Sequence, residues 1–477
     1  MKSETSRPLH MLPSTIIETI IANLVHGKGY ANGAKLTRLE RRDLASCGLA
    51  SSLFYLPSRR YLFATVTINL DLYNSRGEEI WLSRNGLVDI LSGNTMLQNQ
   101  VYHLVVTYMD PKSDRWMRPA GYIGAPRSDA FQQIVRFFPA LRGLTIASSL
   151  PGCGTLFNVA VAFVSQELKF YCPHLRSLTL MEVNDTPIEF FHQWACITEL
   201  KLVDVDLSDP KEPNVDDQGG DDDGQAEDAQ KALESQRRAG SLKIERLCLH
   251  GAMYLTESLV NSLNNHHLQY LHLSFDPRVG SVVPMSQAAQ LVHVVAPTLA
   301  HLSLKDAFYY DSILEFSDSV IQNVKFLELV GRDTPDTPET PFPSIASFLT
   351  PKTSNIVSKL ERISISFSCS RDIMKKVFDY NQGWSALDIL WTGPQYQHLA
   401  KVDIRLIFTA TGSEKAILRL EHKTKILMEL IKHRSYRLLP LVSCSPRIDL
   451  NFHIEVHSLT RYVAWNNRTG RASNFIL

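Results

Sequence analysis

The chain has 477 residues, with 49 Lys plus Arg against 49 Asp plus Glu, so its formal net charge is zero. That balance excludes a uniformly basic surface of the kind that holds nucleic acid. Hydrophobic residues make up 44% and charged residues 21%, an ordinary globular mixture. The length, however, exceeds what one compact core reaches, so several domains or an elongated repeat array are expected.

Residues 1–9 are polar and read as a disordered start, and 10–60 as a helical segment. Pro13 suits a first helical position, and Ile16, Ile17, Ile20, Ile21 and Leu24 follow at helical spacing as one wide apolar stripe. The stretch is too short and too interrupted by Glu18, Thr19 and Asn23 for a secretory leader or a membrane span. After a Gly-rich loop, a second helical stretch carries Leu36, Leu44, Cys47, Leu49, Leu53 and Phe54, and Pro57 to Phe63 is expected to close it. The seven cysteines show neither a C-x-x-C pair nor zinc spacing, so they are expected as reduced, buried small hydrophobes, with no metal site.

From residue 61 to 456 a hexamer recurs, apolar-x-x-apolar-x-apolar, whose last four residues alternate as a short strand does. It runs Leu141 to Ile146, Leu175 to Leu180, Ile197 to Leu202 and Ile244 to Leu249, then Leu268 to Leu273, Leu299 to Leu304, Val324 to Leu329, Leu360 to Ile365 and Leu399 to Ile404. Weaker copies begin at Phe63 and Val101. Successive starts from 141 lie 22 to 47 residues apart, which leaves room for a turn, a helix and a return loop. Helices are expected over 157–170, 256–263 and 285–295, and prolines at 173 and 297 stop the helix just before a strand. One helix and one strand cannot bury their own apolar faces, so the units must stack with a parallel sheet on the inner side and helices outside.

The segment 209–240 is expected to be a disordered acidic loop: residues 209–238 hold ten acidic and four basic residues and few apolar ones. Residues 414–430 read as a closing amphipathic helix, 446–456 as a final strand or two, and 457–477 as a tail.

These residues resemble a known family. Leu12-Pro13, the isoleucine pairs, Leu24, the run Leu44 to Phe54 and the closing Ser58-Arg59-Arg60-Tyr61-Leu62-Phe63 are similar to the F-box motif, and fungal F-box proteins of this style run directly into degenerate leucine-rich repeats. The resemblance implies an α/β fold: an irregular leucine-rich-repeat solenoid with an N-terminal F-box-like helical segment. It further implies a substrate-recognition subunit of a cullin-based ubiquitin ligase, not itself an enzyme and needing no cofactor. A Skp-type adaptor would then dock on Leu12, Pro13, Ile16, Ile17, Ile20, Ile21 and Leu24, with Leu44, Leu49 and Leu53 from the second stretch. The alternative is a leucine-rich-repeat interaction scaffold unconnected to ubiquitin, whose first helices only cap the array. No G-x-S-x-G, Walker or H-E-x-x-H motif supports an enzyme. A cytoplasmic or nuclear location is expected, with no nucleic-acid or membrane partner.

Strand alternation also assigns a candidate substrate face, because leucines pointing into the core leave the residues between them on the sheet's open side. In the central repeats that rule selects Arg246, His250, Tyr270 and His272, then His301, Lys305, Phe326 and Glu328. Arg and aromatic residues are the types that concentrate binding energy at interfaces.

Overall fold

The hexamers form strands because alternating β-compatible apolar residues can bury one side of a pleated sheet. In the computed structural model the described residues are 14–25, 36–70, 93–108, 136–148, 172–183, 186–187, 191, 196–205, 207–208, 243–250, 267–275, 285–307, 317–332, 341–353, 355–370, 383–410 and 438–458. The acidic segment, the helices expected at 157–170, 256–263 and 414–430, Leu12, Pro13 and residues 459–477 lie outside them. Two compact units divide the chain, Met1–Lys243 and Ile244–Leu477.

The first unit opens with α1 (Ser14–Leu24), α2 (Arg38–Ala50) and α3 (Ser52–Phe63). Thr37 starts α2 through a capping box: the Thr37 hydroxyl accepts from the Glu40 N–H at 3.2 Å, and the Glu40 carboxylate accepts from the Thr37 N–H at 2.6 Å. The second helical stretch is two helices, not one closed at Pro57. Extended Ser51 (φ −156°, ψ 139°) ends α2, and its side chain accepts from the Leu53 N–H to start α3. Pro57 lies inside α3, where its missing N–H forfeits one helical hydrogen bond without stopping the chain. Ile21, Val25 and Leu44 form the centre of this small bundle, with Leu24, Leu36, Cys47, Phe54, Tyr61 and Leu62 packed around them.

Five strands follow, β1 (Thr65–Leu70), β2 (His103–Tyr108), β3 (Gly143–Ser148), β4 (Ser177–Met181) and β6 (Glu199–Val203), each pairing in parallel with the next. A short helix, α4 (Thr95–Gln98), precedes β2. The two-residue strands β5 (Thr186–Pro187) and β7 (Leu207–Ser208) pair with each other in parallel beyond β4 and β6.

Among its described residues the second unit holds seven parallel strands in sequence order: β8 (Arg246–His250), β9 (Tyr270–Ser274), β10 (His301–Lys305), β11 (Phe326–Arg332), β12 (Arg362–Ser370), β13 (Lys401–Ala410) and β14 (Asp449–Ser458). The expectation of an α/β architecture with a parallel sheet therefore holds. Helices α5 (Met285–Val295), α6 (Ser317–Asn323), α7 (Phe342–Leu349), α8 (Trp384–Thr392) and α9 (Pro440–Cys444) fill connections between strands. Their buried residues, such as Leu291, Ile321, Phe348 and Leu387, supply the apolar layer that the leucine face of the sheet requires.

Pairing in register stacks the hexamers into ladders. Leu247, Leu271, Leu302, Leu327, Ile363, Val402 and Leu450 form one row, and Leu249, Leu273, Leu304, Leu329, Ile365, Ile404 and Phe452 the next. The first unit repeats the device with Leu104, Leu144, Leu178 and Leu200. Full burial of each such side chain contributes about 1.5–3 kcal/mol relative to exposure. A backbone device fixes the phase. The carbonyl of the second hexamer residue (Glu245, Gln269, Ala300, Lys325 or Glu361) accepts two N–H groups from the following hexamer at 2.8–3.1 Å.

Glu182, Asp204 and Asp306 each follow a strand directly and share a left-handed backbone (φ 58°, 50° and 57°). Gly383 (φ 91°) starts α8, where a Cβ would stand 2.6 Å from the Phe342 carbonyl carbon and the Pro343 nitrogen. Only glycine satisfies both the dihedral and the close approach, which lets the Trp384 ring stack on Phe342 at 3.9 Å between centroids. Asp388, buried on α8, accepts from the N–H groups of Leu441 (3.0 Å) and Val442 (2.9 Å) and so ties α9 to α8. Burial raises its pKa against the lowering effect of those two hydrogen bonds.

The cysteines depart from the expectation of uniform burial. Cys172 is buried, and its thiol is pushed up to about 12 by burial, with Cys196 adding to the effect. Cys47, Cys196 and Cys248 are half-buried and Cys444 is exposed. All five are free thiols.

Candidate interaction face

With the leucines of β8 to β11 turned to the helices, the intervening residues stand in rows on the open side of the second unit's sheet. Register places Arg246, Tyr270, His301, Phe326 and Arg362 in one row, and Cys248, His272, Ser303, Glu328 and Ser364 in the next. His250, Ser274 and Lys305 continue the third. All eight residues selected from the sequence, Arg246, His250, Tyr270, His272, His301, Lys305, Phe326 and Glu328, fall on this one face.

The first row is a continuous stack. The Arg246 guanidinium lies 4.4 Å from the Tyr270 ring centroid, Tyr270 meets His301 edge-on at 4.5 Å, His301 tilts against Phe326 at 4.1 Å, and Arg362 covers Phe326 at 4.8 Å. Side chains on neighbouring strands stand close enough for such contacts, and cation–π and edge-to-face geometries add attraction beyond area burial. The stack is therefore preorganised: a ligand laid on it orders few additional rotamers.

The second row is polar and linked. Ser303 is fully buried, and its hydroxyl donates to Glu328 at 2.8 Å. Since that proton is committed, the Nδ1 of His272, 2.8 Å from the same oxygen, is the donor in its own contact. The Nε2 of His301 lies 4.0 Å from the Glu328 carboxylate. Burial lowers the His301 pKa; Glu328 opposes this, while Arg246 and Arg362 reinforce it. Burial likewise raises the Tyr270 hydroxyl. His250 and His272 stack with ring centroids 4.6 Å apart.

Beyond β11 the face continues through Arg362, which the alternation also selects, and through residues of β13 and β14 that it left out. Arg362 and Lys401 both pair with Asp403, at 2.7 Å and 3.6 Å, and Asn451 donates to Asp403 at 3.1 Å. Arg405 grips Glu455 with two hydrogen bonds of 2.8 and 2.6 Å, an interaction that raises the arginine pKa. Alternation within β13 would have identified Asp403 and Arg405. β14 falls within the final strand expected over 446–456 but lacks the hexamer, because Arg447 occupies its first apolar position.

In the first unit the same side is different in character. On β1 to β4, Thr65, Thr67, Val105, Thr107, Thr145, Ala147 and Thr179 alternate with the buried rows, and the exposed Glu199 and Lys201 continue these rows on β6. His103 stands among the threonines: its Nε2 lies 2.9 Å from the Thr145 hydroxyl, and burial lowers its pKa. Gly143, opposite on β3, makes room for it, since a Cβ there would stand 2.1 Å from Nδ1 of the ring.

The residues assigned to an adaptor divide in two. Ile17, Ile21 and Leu44 are buried within the three-helix segment itself, and Leu24 is packed against that interior. Ile16 (45% exposed), Ile20 (38%), Leu49 (88%) and Leu53 (39%) face outward. Only the second group is available to a partner without opening the bundle.

Among the described residues no group of three or more His, Cys, Asp or Glu is arranged to hold a metal ion, and no helix is long and apolar enough to cross a membrane. No protein-family model matches the chain, and no curated protein does.

Proposed function

We propose that the chain is the substrate-recognition subunit of a cullin-based ubiquitin ligase, an F-box protein whose leucine-rich repeats present the sheet face to a protein substrate. The observation that carries the reading is the two-sided amino-terminal segment: an interior closed by Ile21, Val25 and Leu44, and an exterior that keeps Ile16, Ile20, Leu49 and Leu53 in solvent. Ile16 and Ile20 lie four apart on α1, and exposed apolar helix residues at that spacing are the usual anchors in helix-to-groove recognition. A Skp-type adaptor fits that role, with Leu12-Pro13 just ahead of α1. Bond-making chemistry then belongs to the ligase's other subunits, and this chain positions the substrate.

The test is purification of the tagged chain from cells with adaptor and cullin quantified. Wild type recovers both, and Ile16→Asp with Ile20→Asp recovers at least tenfold less, a loss of about 1.4 kcal/mol or more in docking. Absence of adaptor from the wild-type preparation overturns the ligase reading and leaves a repeat scaffold.

A further inference from the structure

One carboxylate on the second unit's face stands between two groups that can each donate to it. Glu328 on β11 accepts the Ser303 proton through Oε2 at 2.8 Å, and the same oxygen lies 4.0 Å from Nε2 of His301. That Nε2 is buried and makes no hydrogen bond. In register Ser303 pairs with Glu328, and His301 pairs with Phe326, two residues earlier. The carboxylate therefore has one donor straight across and a second on the diagonal. The His301 ring is held between Tyr270 at 4.5 Å and Phe326 at 4.1 Å. Glu328 is only half-buried and turns about three side-chain bonds, so it is the partner that moves.

We propose that His301, Glu328 and Ser303 form a proton-operated latch: protonation of the imidazole draws the Glu328 carboxylate off the Ser303 hydroxyl and onto Nε2. The contact from Ser303 to Glu328 has one charged partner. An imidazolium donor makes two, at about 2.7–2.9 Å once closed, and Coulomb attraction then favours the transfer. The two donors sit on β10 about 6.6 Å apart, two residues of extended chain, so a carboxylate that approaches one recedes from the other. The hydroxyl proton left behind turns to the Tyr270 oxygen, which Ser303 also approaches.

Among the described residues, His301 is faced by Tyr270 from β9, by Glu328 from β11, and at longer range by Arg246 on β8 and Arg362 on β12. His272 on β9 reaches it only through Ser303. Glu328 is faced by Ser303 and His301 from β10 and at longer range by Tyr270. Burial and the two arginines oppose the imidazolium, and Glu328 favours it, so the latch closes below the ordinary histidine value of about 6.5. Open, the row runs from His272 through Ser303 to Glu328. Closed, Glu328 joins the aromatic stack as the partner of His301, and the face offers a different pattern of donors and acceptors with no strand displaced. The latch belongs to these side chains and holds whether or not the chain serves a ligase.

The experiment follows the labelled histidine ring carbons of the full chain by NMR from pH 8.0 to 5.0, with the His301 signal assigned by its loss in His301→Gln. Glu328→Gln keeps the side chain's shape and removes its charge. It is expected to lower the His301 midpoint by at least about 0.5 pH unit, a threefold loss of proton affinity. Ser303→Ala frees the carboxylate and raises the midpoint by a similar amount. The double variant matches Glu328→Gln alone, because Ser303 acts only through Glu328. If Ser303→Ala fails to fold, Ser303→Cys, a weaker donor, gives a smaller rise of the same sign. A ring that does not titrate above pH 5.0, a midpoint that ignores Glu328→Gln, or one that stays in place when the Ser303 hydroxyl is removed overturns the latch. So does a double variant whose shift is the sum of the two, since the hydroxyl and the carboxylate would then act independently.

Discussion

At the scale of single residues, two histidines make the fold sensitive to acid. His103 and His301 are both held below the ordinary histidine value, chiefly by burial. The unfolded chain therefore binds protons first as the pH falls. Stability is full above the unfolded value of about 6.5 and declines as the pH drops toward the folded values. The expected result is a melting temperature that falls between pH 7.5 and 5.5, with a shallower fall in the His103→Gln, His301→Gln double variant. Equal slopes in variant and wild type, followed by circular dichroism, would refute the assignment. The sequence indicated which residues share the face, since alternation is a local property. It carried no indication that Ser303 would be buried or that Gly143 would clear space for His103, because both depend on neighbouring strands 25 and 40 residues away.

At the scale of elements, the amino-terminal helices show where an apolar stripe stops being informative. Ile16, Ile17, Ile20 and Ile21 look equivalent in sequence, yet α1 turns Ile17 and Ile21 inward and leaves Ile16 and Ile20 out. Which pair is buried is decided by Leu44 on α2 and Leu62 on α3, and spacing within α1 cannot report that. Ile17→Asp is expected to open the three-helix segment, costing several kcal/mol because a charge enters an apolar interior. Ile16→Asp costs less than about 0.5 kcal/mol. Limited proteolysis of the two variants separates them: early cleavage within residues 14–63 for the first, and a wild-type pattern for the second. Most strands were legible, since each hexamer from Leu141 to Leu399 and both weaker copies lie at β1 to β4, β6 and β8 to β13, whereas the two-residue β5 and β7 are too short to leave a pattern. Of the helices, α5 coincides with its expected span, Met285–Val295. Helices α6, α7 and α9 are five to eight residues long, too short to develop a periodic signal, and Ser51 divides α2 from α3 where hydrophobic spacing alone ran on.

At the scale of the whole molecule, stability is a sum over neighbours. In a stacked array each repeat touches the ones beside it, so local damage should fray outward from its origin. Leu302 lies mid-ladder between Leu271 and Leu327 and is fully buried. Leu302→Ala is expected to cost about 2–5 kcal/mol. Amide-exchange protection should fall most in β9, β10 and β11 and least in β14. A uniform loss across all seven strands would show instead that the unit unfolds as one block. Net charge is also a property of the whole. Residues 209–238 carry four basic and ten acidic residues, or −6, so the rest of the chain sums to +6, and the overall neutrality conceals a mildly basic remainder.

The in-phase pairing of the strands separates two kinds of change that a gene can accumulate. Within each unit, intervals of 22 to 39 residues between hexamers are compatible with a continuous register, so connections can lengthen or shorten while each ladder stays aligned. A single residue inserted between Leu302 and Leu304 is another matter, since the period of two turns over the strand beyond it, sending Leu304 into water and Lys305 toward the helices. Substitution at the odd-numbered sites of β10, by contrast, leaves the buried row untouched. Binding preference and architecture are written on alternating letters of the same short words, which allows the face to acquire a new ligand without the scaffold being rebuilt.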